Sequence, residues 1–573
     1  MSLAGLRAAK PARLALIRAG VRPTTTVASS SSTTTMIAQK AVPLSPPTAA
    51  PRAEHDHEAV SLSFLDLEYE EPSGSVGFRL FYPTDGPSVD VGGGATSPAA
   101  PPPFSSPRWG DGVAGREYAA GYAAFAFHGA PPSLKLRLMK AGLTAALWLL
   151  SATWRLPLSR ARPLAAAAAA DGGSGSGGGG GDGGGGGGRA PARLPVVVFS
   201  HGAASNRHTY TYLAREIARR VPCAVACVEH SDGSAGAARV TGGRGEWLYF
   251  SGLGMGAALE RKNGVRVGEV ALAARALRAL DRGGGGAFAG DAAAASAGGG
   301  GEGGKGGGGE GEGGGKGGGE GEGGGGRLWR LEAGKQQEGG AAGDPVLASF
   351  RGRLDLAKLA VAGHSCGGAT AAAAAHAPPP LLDAAVSAVV AFDPWWPLLQ
   401  SDLPPLAPAF ADPGAAASRR PPAPLLVVGS LAWNTPRADG RLSCDGERQR
   451  RVFETWKRPA AGAGGGAAAA GALLVVPRGS AHHSFSDVAL LLEGSRALRK
   501  LRGLTGAPAP ELGSAEAIEL SGWAAARFLR QRWEEGGGGE GGVGPRPVRA
   551  EELEAYRAHF GDRAAILEAH VAG

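Results

Sequence analysis

Short runs of consecutive apolar residues, separated by amphipathic stretches, dominate the second half of the chain. Pro195–Ser200 (PVVVFS) and Cys223–Glu229 (CAVACVE) are continuous apolar segments of strand length, the pattern of strands buried on both faces. Tyr212–Arg220 between them reads as a helix, and Val265–Leu280, with Val267, Val270, Leu272, Ala274 and Leu277 among its apolar positions, as a second. Further on, the spacing predicts strand Leu359–Ala362, helix Gly368–Ala377, strands Val386–Phe392, Leu425–Gly429 and Leu473–Val476, and a closing helix Ala515–Arg530. Strands alternating with helices predict an α/β fold, a mostly parallel sheet with helices on both faces. Ahead of this region, Ser61–Pro83 alternates apolar and polar residues around a Gly-containing turn and reads as a β-hairpin. Leu134–Leu158 reads as a helix, amphipathic at its start and then nearly all apolar. Its uncharged part, Ala141–Trp154, falls short of the ~20 residues that span a bilayer. A buried helix is one expectation; an interfacial helix with Trp148 and Trp154 at headgroup level is the other.

Composition changes the picture by dividing the chain. Of 573 residues, 98 are Gly and 41 are Pro, yet 43% are apolar and 11 are Trp, too many for a disordered chain. The Gly is clustered, in tracts at 172–188 and 283–326 with smaller ones at 464–466 and 536–539. The expected organisation is a disordered basic segment at 1–53, one domain at 54–535 with disordered Gly-rich inserts at 171–189 and 283–326, and a Gly linker with a C-terminal helix at 536–573. The Gly/Glu/Lys tract reads as solvated filler rather than a partner-binding tether.

Charge sharpens the N-terminal reading. Seven Lys/Arg precede Glu54, the first acid, and subtracting those seven from the net +8 leaves +1 for the rest. Such a distribution excludes a nucleic-acid surface, which needs charge clustered on the folded part. An Arg-bearing, acid-free segment rich in Ser and Thr (Ser29–Ser32, Thr33–Thr35) has the composition of a transit peptide to a plastid or mitochondrion. A basic tail on a cytoplasmic or membrane-peripheral protein is the alternative, and a diffuse signal from a Met1–Arg52 fluorescent fusion would favour it. Four scattered Cys with no CxxC pair exclude a disulfide framework and a structural zinc site, and no metal or cofactor is expected.

Candidate chemistry starts at Gly363-His-Ser365-Cys-Gly367. In a sequence so rich in Gly, the G-x-S-x-G pattern is weak alone, but here it follows an apolar strand and opens an Ala-rich helix, the strand–turn–helix that a nucleophile elbow requires. A nucleophilic Ser needs a base and the base an orienting acid, in chain order Ser, acid, His. Asp393 directly ends the apolar run Ala384–Phe392; Asp383, Asp402 and Asp412 lie in weaker contexts. For the base, His482 and His483 both lie on the loop after Leu473–Val476, and the residues alone leave the pair open; His376, at a helix end, reads as a surface residue. Backbone donors for an oxyanion would be the N–H of Cys366 and that of Ala203, in Ser200-His-Gly202-Ala-Ala204 after the first buried strand.

Five motifs occur in order: VVVFSHGAASN (Val196–Asn206), CVEHSDGSA (Cys227–Ala235), VAGHSCGGAT (Val361–Thr370), AFDPWWPL (Ala391–Leu398) and RGSAHHSFSD (Arg478–Asp487). With the hairpin ending FRLFYP, the Leu134–Trp154 region and WLYF at Trp247–Phe250, the chain resembles the platelet-activating factor acetylhydrolase family, the calcium-independent, lipoprotein-associated type of phospholipase A2. The resemblance spans about Ser61 to Arg530. It implies an α/β-hydrolase fold and metal-free hydrolysis of the sn-2 ester of phospholipids with short or oxidised acyl chains. It carries Ser365 over as nucleophile, Asp393 as acid and, through the GS-x-H pattern, His482 as base. Ala203 and Cys366 fall on the oxyanion positions, where family members carry larger apolar residues, so the pocket walls and acyl preference differ. His201, Trp395 and Trp396 are expected at the substrate pocket. Family members work at lipid surfaces, which favours peripheral contact through Leu134–Leu158. A short-chain carboxylesterase or polyester hydrolase using the same triad is the runner-up. A catalytically silent lipid-surface scaffold is the remote third.

Overall fold

The computed structural model describes residues 61–84, 113–153, 156, 158–160, 162, 164, 193–241, 246–254, 257–283, 327–332, 335–336, 344–376, 385–399, 423–436, 441–456, 471–494, 511–534 and 548–570. All belong to the second of two compact units, His57–Gly573. The basic segment 1–53, the insert 171–189, all of 283–326 but Gly283, and Asp383, Asp402 and Asp412 lie outside the described residues.

The strands are β1 (Leu62–Glu71), β2 (Gly74–Pro83), β3 (Ser159–Arg160), β4 (Leu194–Ser200), β5 (Ala224–Glu229), β6 (Ala237–Arg239), β7 (Trp247–Tyr249), β8 (Arg327–Glu332), β9 (Lys335–Gln336), β10 (Leu354–His364), β11 (Ala388–Phe392), β12 (Leu425–Val428), β13 (Ala472–Pro477) and β14 (Ala564–His570). Twelve form one sheet in the order β14-β13-β12-β11-β10-β4-β5-β2-β1-β8-β9, with β3 beside β1. From β13 to β5 every pairing is parallel. The hairpin β1–β2 extends this sheet antiparallel through β5. This is the α/β-hydrolase fold.

Both faces of the parallel strands are dry, which is why they read as unbroken apolar runs. On β4, Val196 and Val198 face one core, and Val197 and Phe199 the other; on β12, Leu425 and Val427 oppose Leu426 and Val428 in the same way. Helices Ala257–Asp281 and Cys366–Ala375 cover the first face, and helices Thr211–Arg220 and Ser514–Glu534 the second. Each fully buried Val, Leu or Phe stabilises the sheet by about 1.5–3 kcal/mol.

Two sequence expectations are corrected. The C-terminal boundary at 535 does not delimit the sheet, because β14 pairs antiparallel with β13. Helix Ala550–Phe560 before it docks on helix Ser514–Glu534 through stacked Trp523 and His559 rings 3.7 Å apart and the buried Arg532–Glu552 pair. The segment beyond the Gly stretch thus contributes both a helix and an edge strand. The helix read at Leu134–Leu158 is described over Leu134–Thr153, with Trp154 outside the described residues, and it is not a core helix. It packs against helix Val113–Ala126 and leaves Leu134, Leu138 and Leu149 exposed by 74%, 65% and 59%. Among the described residues, no helix is long and apolar enough to cross a membrane.

Candidate active site

The C-terminal ends of neighbouring parallel strands bring three distant segments together. Ser365 stands between β10 and helix Cys366–Ala375 with φ +57°, a left-handed conformation that costs a non-Gly residue of order 1–3 kcal/mol. The turn closes because its flanking residues lack side chains. A Cβ on Gly363 would lie 2.2 Å from the Gly367 carbonyl oxygen, and one on Gly367 would lie 2.1 Å from that of Ser200. Ser365 N–H donates to the Phe392 carbonyl at 3.0 Å, and its own carbonyl accepts from Trp395 N–H at 2.8 Å. These bonds pin the elbow to the end of β11.

Asp393 follows β11, is fully buried, and also has positive φ (+39°). Its Oδ2 lies 2.7 Å from His482 Nδ1, and His482 Nε2 lies 3.1 Å from Ser365 Oγ. The other carboxylate oxygen, Oδ1, accepts from Ser430 N–H (2.7 Å) and Gln449 Nε2–H (2.9 Å). The geometry also decides between the two imidazoles: His483 is exposed, its ring edge-on to His482 at 5.4 Å. Trp433 covers the other side of His482, stacked at 4.2 Å and 22°.

The Ser200–Ala204 loop lies against the elbow. A Cβ on Gly202 would come within 3.1 Å of Ser365 Cβ and of His364 Nδ1. Ala204, at φ +58°, joins Ser365 and Asp393 as a non-Gly residue in the left-handed region. Cys366 opens the elbow helix, whose first N–H groups have no intrahelical acceptor. Its thiol is buried, which raises its pKa.

Residues to which the sequence assigned no role hold this arrangement. Burial keeps the His364 imidazole well below its usual pKa range and so neutral. Its Nε2 lies 2.8 Å from the His482 carbonyl oxygen, and its Nδ1 lies 2.8 Å from Tyr210 OH. An Nε2–H tautomer satisfies both contacts, with Tyr210 O–H donating to Nδ1. Tyr210 oxygen in turn accepts from Gly202 N–H at 3.1 Å, so the base loop, elbow and Gly202 loop are joined by one series of bonds. Asp487, the last residue of the RGSAHHSFSD motif, caps helix Thr211–Arg220 by accepting from Thr211 and Tyr212 N–H.

Two pocket expectations are corrected. His201 is 1% exposed and turned inward, its Nε2 accepting from His230 N–H and its Nδ1 against the Gly202 carbonyl. Trp396 is buried in the core beneath the elbow helix, whereas Trp395 is only partly buried. The Trp396 indole packs among apolar side chains of the core, and the His201 imidazole meets backbone polar groups there. Among the described residues, no group of three or more His, Cys, Asp and Glu is placed to hold a metal ion.

A hydroxyl, imidazole and carboxylate in this order at the ends of parallel strands define a class, the serine ester hydrolases of the α/β-hydrolase fold. Within that class, residues 187–284 and 327–408 match the family model described as platelet-activating factor acetylhydrolase, isoform II, the family whose motifs the chain carries. The matched span contains Ser365 and Asp393. No curated protein matches the chain. Among solved structures, a ferulic acid esterase from Streptomyces cinnamoneus is 16% identical, with a TM-score of 0.39, over 89% of this chain and 97% of that one. A Pyrobaculum calidifontis esterase is 14% identical, with a TM-score of 0.26, over 59% of this chain and 79% of its own. The esterase LipW from Mycobacterium marinum is 14% identical, with a TM-score of 0.27, over 59% and 74%.

Proposed function

We propose that the chain hydrolyses the sn-2 ester of phospholipids bearing short or oxidised acyl chains through an acyl-enzyme on Ser365. The observation that carries this reading is the relay itself, Asp393 to His482 at 2.7 Å and His482 to Ser365 at 3.1 Å. The family match supports the phospholipid part. His482 Nε2 takes the Ser365 proton as Oγ attacks the ester carbonyl, and Asp393 stabilises the imidazolium that forms. The N–H groups of Ala203 and Cys366 receive the developing oxyanion, each worth about 3–4 kcal/mol in comparable sites. Collapse of the tetrahedral intermediate breaks the ester bond, and His482 returns the proton to the departing lysophospholipid oxygen. Water, deprotonated by His482, then releases the fatty acid and restores Ser365. None of these steps calls for a metal or cofactor.

The exposed apolar face of helix Leu134–Thr153, flanked by Lys135 and Arg137, supports peripheral docking at a lipid surface. The acid-free N-terminal segment supports delivery to a plastid or mitochondrion. The purified chain is expected to cleave a short sn-2 phosphatidylcholine, and Ser365→Ala to remove that turnover while circular dichroism stays unchanged. Cleavage of p-nitrophenyl acetate alone would leave a short-chain carboxylesterase, and full activity in Ser365→Ala would refute the nucleophile.

A further inference from the structure

Beneath the two segments that present Ala203 and Cys366 lies a cation that the mechanism above does not use. Arg266, on helix Ala257–Asp281, is fully buried. A guanidinium is costly to bury unless its donors are all engaged, and here they reach into three separate segments. Nη2 donates to Ser200 Oγ at 3.0 Å and to the His201 carbonyl oxygen. Nη1 donates to Ser234 Oγ at 2.6 Å, and Nε to Thr370 Oγ1 at 3.1 Å.

Three of the four acceptors belong to residues tied closely to the proposed oxyanion donors. The His201 carbonyl lies two residues before Ala203. The Ser234 carbonyl accepts Ala204 N–H at 2.7 Å, fixing the residue after Ala203 in its left-handed conformation. Thr370 sits on the elbow helix, its Oγ1 3.1 Å from the Cys366 carbonyl oxygen. One planar fork therefore spans both backbone segments, one from the loop after β4 and one from the elbow. The Asp232 carboxylate, 4.0 Å from Nη1 and held below the usual carboxylate range mainly by Arg266 against the opposing effect of burial, balances the charge. What remains is the geometry of the fork, which Lys, a point charge on a flexible stem, does not reproduce.

We propose that Arg266, acting through Thr370, is a positioning residue that sets the spacing of the two oxyanion N–H donors. The inference rests on the serine-esterase reading given above. Its consequence is a loss confined to the transition state. Displacing a donor by about 1 Å costs up to roughly 100-fold without altering how the resting ester binds.

The test compares the wild-type full chain with Arg266→Lys, which keeps the charge and loses the fork, and Thr370→Val, which keeps the shape and cuts the tie to the elbow. Turnover of p-nitrophenyl acetate, inhibition by an alkyl trifluoromethyl ketone, labelling by a fluorophosphonate and thermal melting are measured on all three. Arg266→Lys is expected to lower kcat by about 10–100-fold and Thr370→Val by about 10-fold, with KM within about twofold. Affinity for the ketone, which becomes an oxyanion on Ser365, should fall by the same factors. A merely structural role would lower melting temperature or the folded fraction and leave ketone affinity per active site unchanged, and that result would overturn the proposal. If Arg266→Lys does not fold, Thr370→Val decides alone: wild-type kcat and ketone affinity in it refute the inference. Should wild-type Ser365 itself fail to label, the esterase reading falls and takes the inference with it; labelling with unchanged variants defeats the inference only.

Discussion

Replacing Asp393 by Asn exchanges one oxygen for a nitrogen, and the surroundings dictate which one. Oδ1 accepts two N–H groups, from Ser430 at 2.7 Å and Gln449 at 2.9 Å. An amide NH2 at that place would set donors against donors in a site with no solvent, at about 1–3 kcal/mol for each unsatisfied group. The amide oxygen therefore occupies the Oδ1 position, and the NH2 faces His482 Nδ1 from where Oδ2 now lies, 2.7 Å away. Donating to Nδ1, it holds the imidazole as the Nε2–H tautomer. That tautomer presents a proton to Ser365 Oγ across the 3.1 Å contact and has no lone pair to accept one. The same exchange in a serine-protease triad costs about 10⁴ in kcat, or about 5 kcal/mol at roughly 1.4 kcal/mol per decade. For Asp393→Asn the expectation is a 10³–10⁴-fold fall in kcat on p-nitrophenyl acetate, with KM within about twofold. Fluorophosphonate labelling of Ser365 should slow in proportion, and the melting temperature should stay within a few degrees. More than about a tenth of wild-type kcat in this variant would mean that His482 is not oriented by Asp393, and the relay would lose its acid.

Two further outcomes follow from the same structure. Burial pushes the Glu269 carboxyl up to about 8, whereas His230, 2.7 Å away, is held well below its usual range, chiefly by burial. A carboxyl raised on folding loses stability as pH climbs from its unfolded value toward its folded one; a depressed His loses it as pH falls below about 6.5. Between pH 6.5 and 8 only the Glu269 effect operates within this pair, so urea-derived stability should drop by about 2 kcal/mol more in wild type than in Glu269→Gln; parallel curves would dismiss the idea. At the surface, Leu138→Glu with Leu149→Glu, both exposed, should abolish flotation with phosphatidylcholine vesicles while leaving soluble-ester turnover intact, and undiminished flotation would show that this helix does not meet lipid.

What could be read from the sequence alone was whatever local pattern determines. Strands β4, β5, β10, β11, β12 and β13 were legible because both faces are buried, which leaves an apolar run with no polar interruption. Ser365 was legible through its glycine neighbours, and Asp393 through its place at the end of an apolar run. His482 could be separated from His483 only through resemblance, since neighbours in sequence differ here by which side of one turn they occupy. Helix Val113–Ala126 escaped because small residues blur its apolar stripe. The structure gives their reason: a Cβ on Gly121 would lie 2.4 Å from Gly236, so the helix packs backbone to backbone against the turn before β6. Gln449, Tyr210, His364 and Arg266 escaped for a different cause. Each acts on a partner dozens of residues away, and no spacing in the sequence encodes such a pairing.

Among the described residues, the three non-Gly residues with left-handed backbone, Ala204, Ser365 and Asp393, are all at the site. Strain of order 1–3 kcal/mol at each persists only if the surroundings over-determine it, and the surroundings here are specific. Ala204 N–H is held by Ser234, Ser365 N–H by Phe392 and Asp393 N–H by Val428, each at 3.0 Å or less and each across a gap in sequence. The acceptors of the last two end neighbouring strands, so sheet formation itself sets the conformation of nucleophile and acid. The hydroxyl, the carboxylate and the loop behind them are therefore in place before any ester arrives. Pre-organisation of this kind is what lets dipoles act on a developing charge without first reorienting. The stability of the parallel sheet and the readiness of the site are thus one property, and a change that loosens the ends of β10, β11 or β12 should weaken both together.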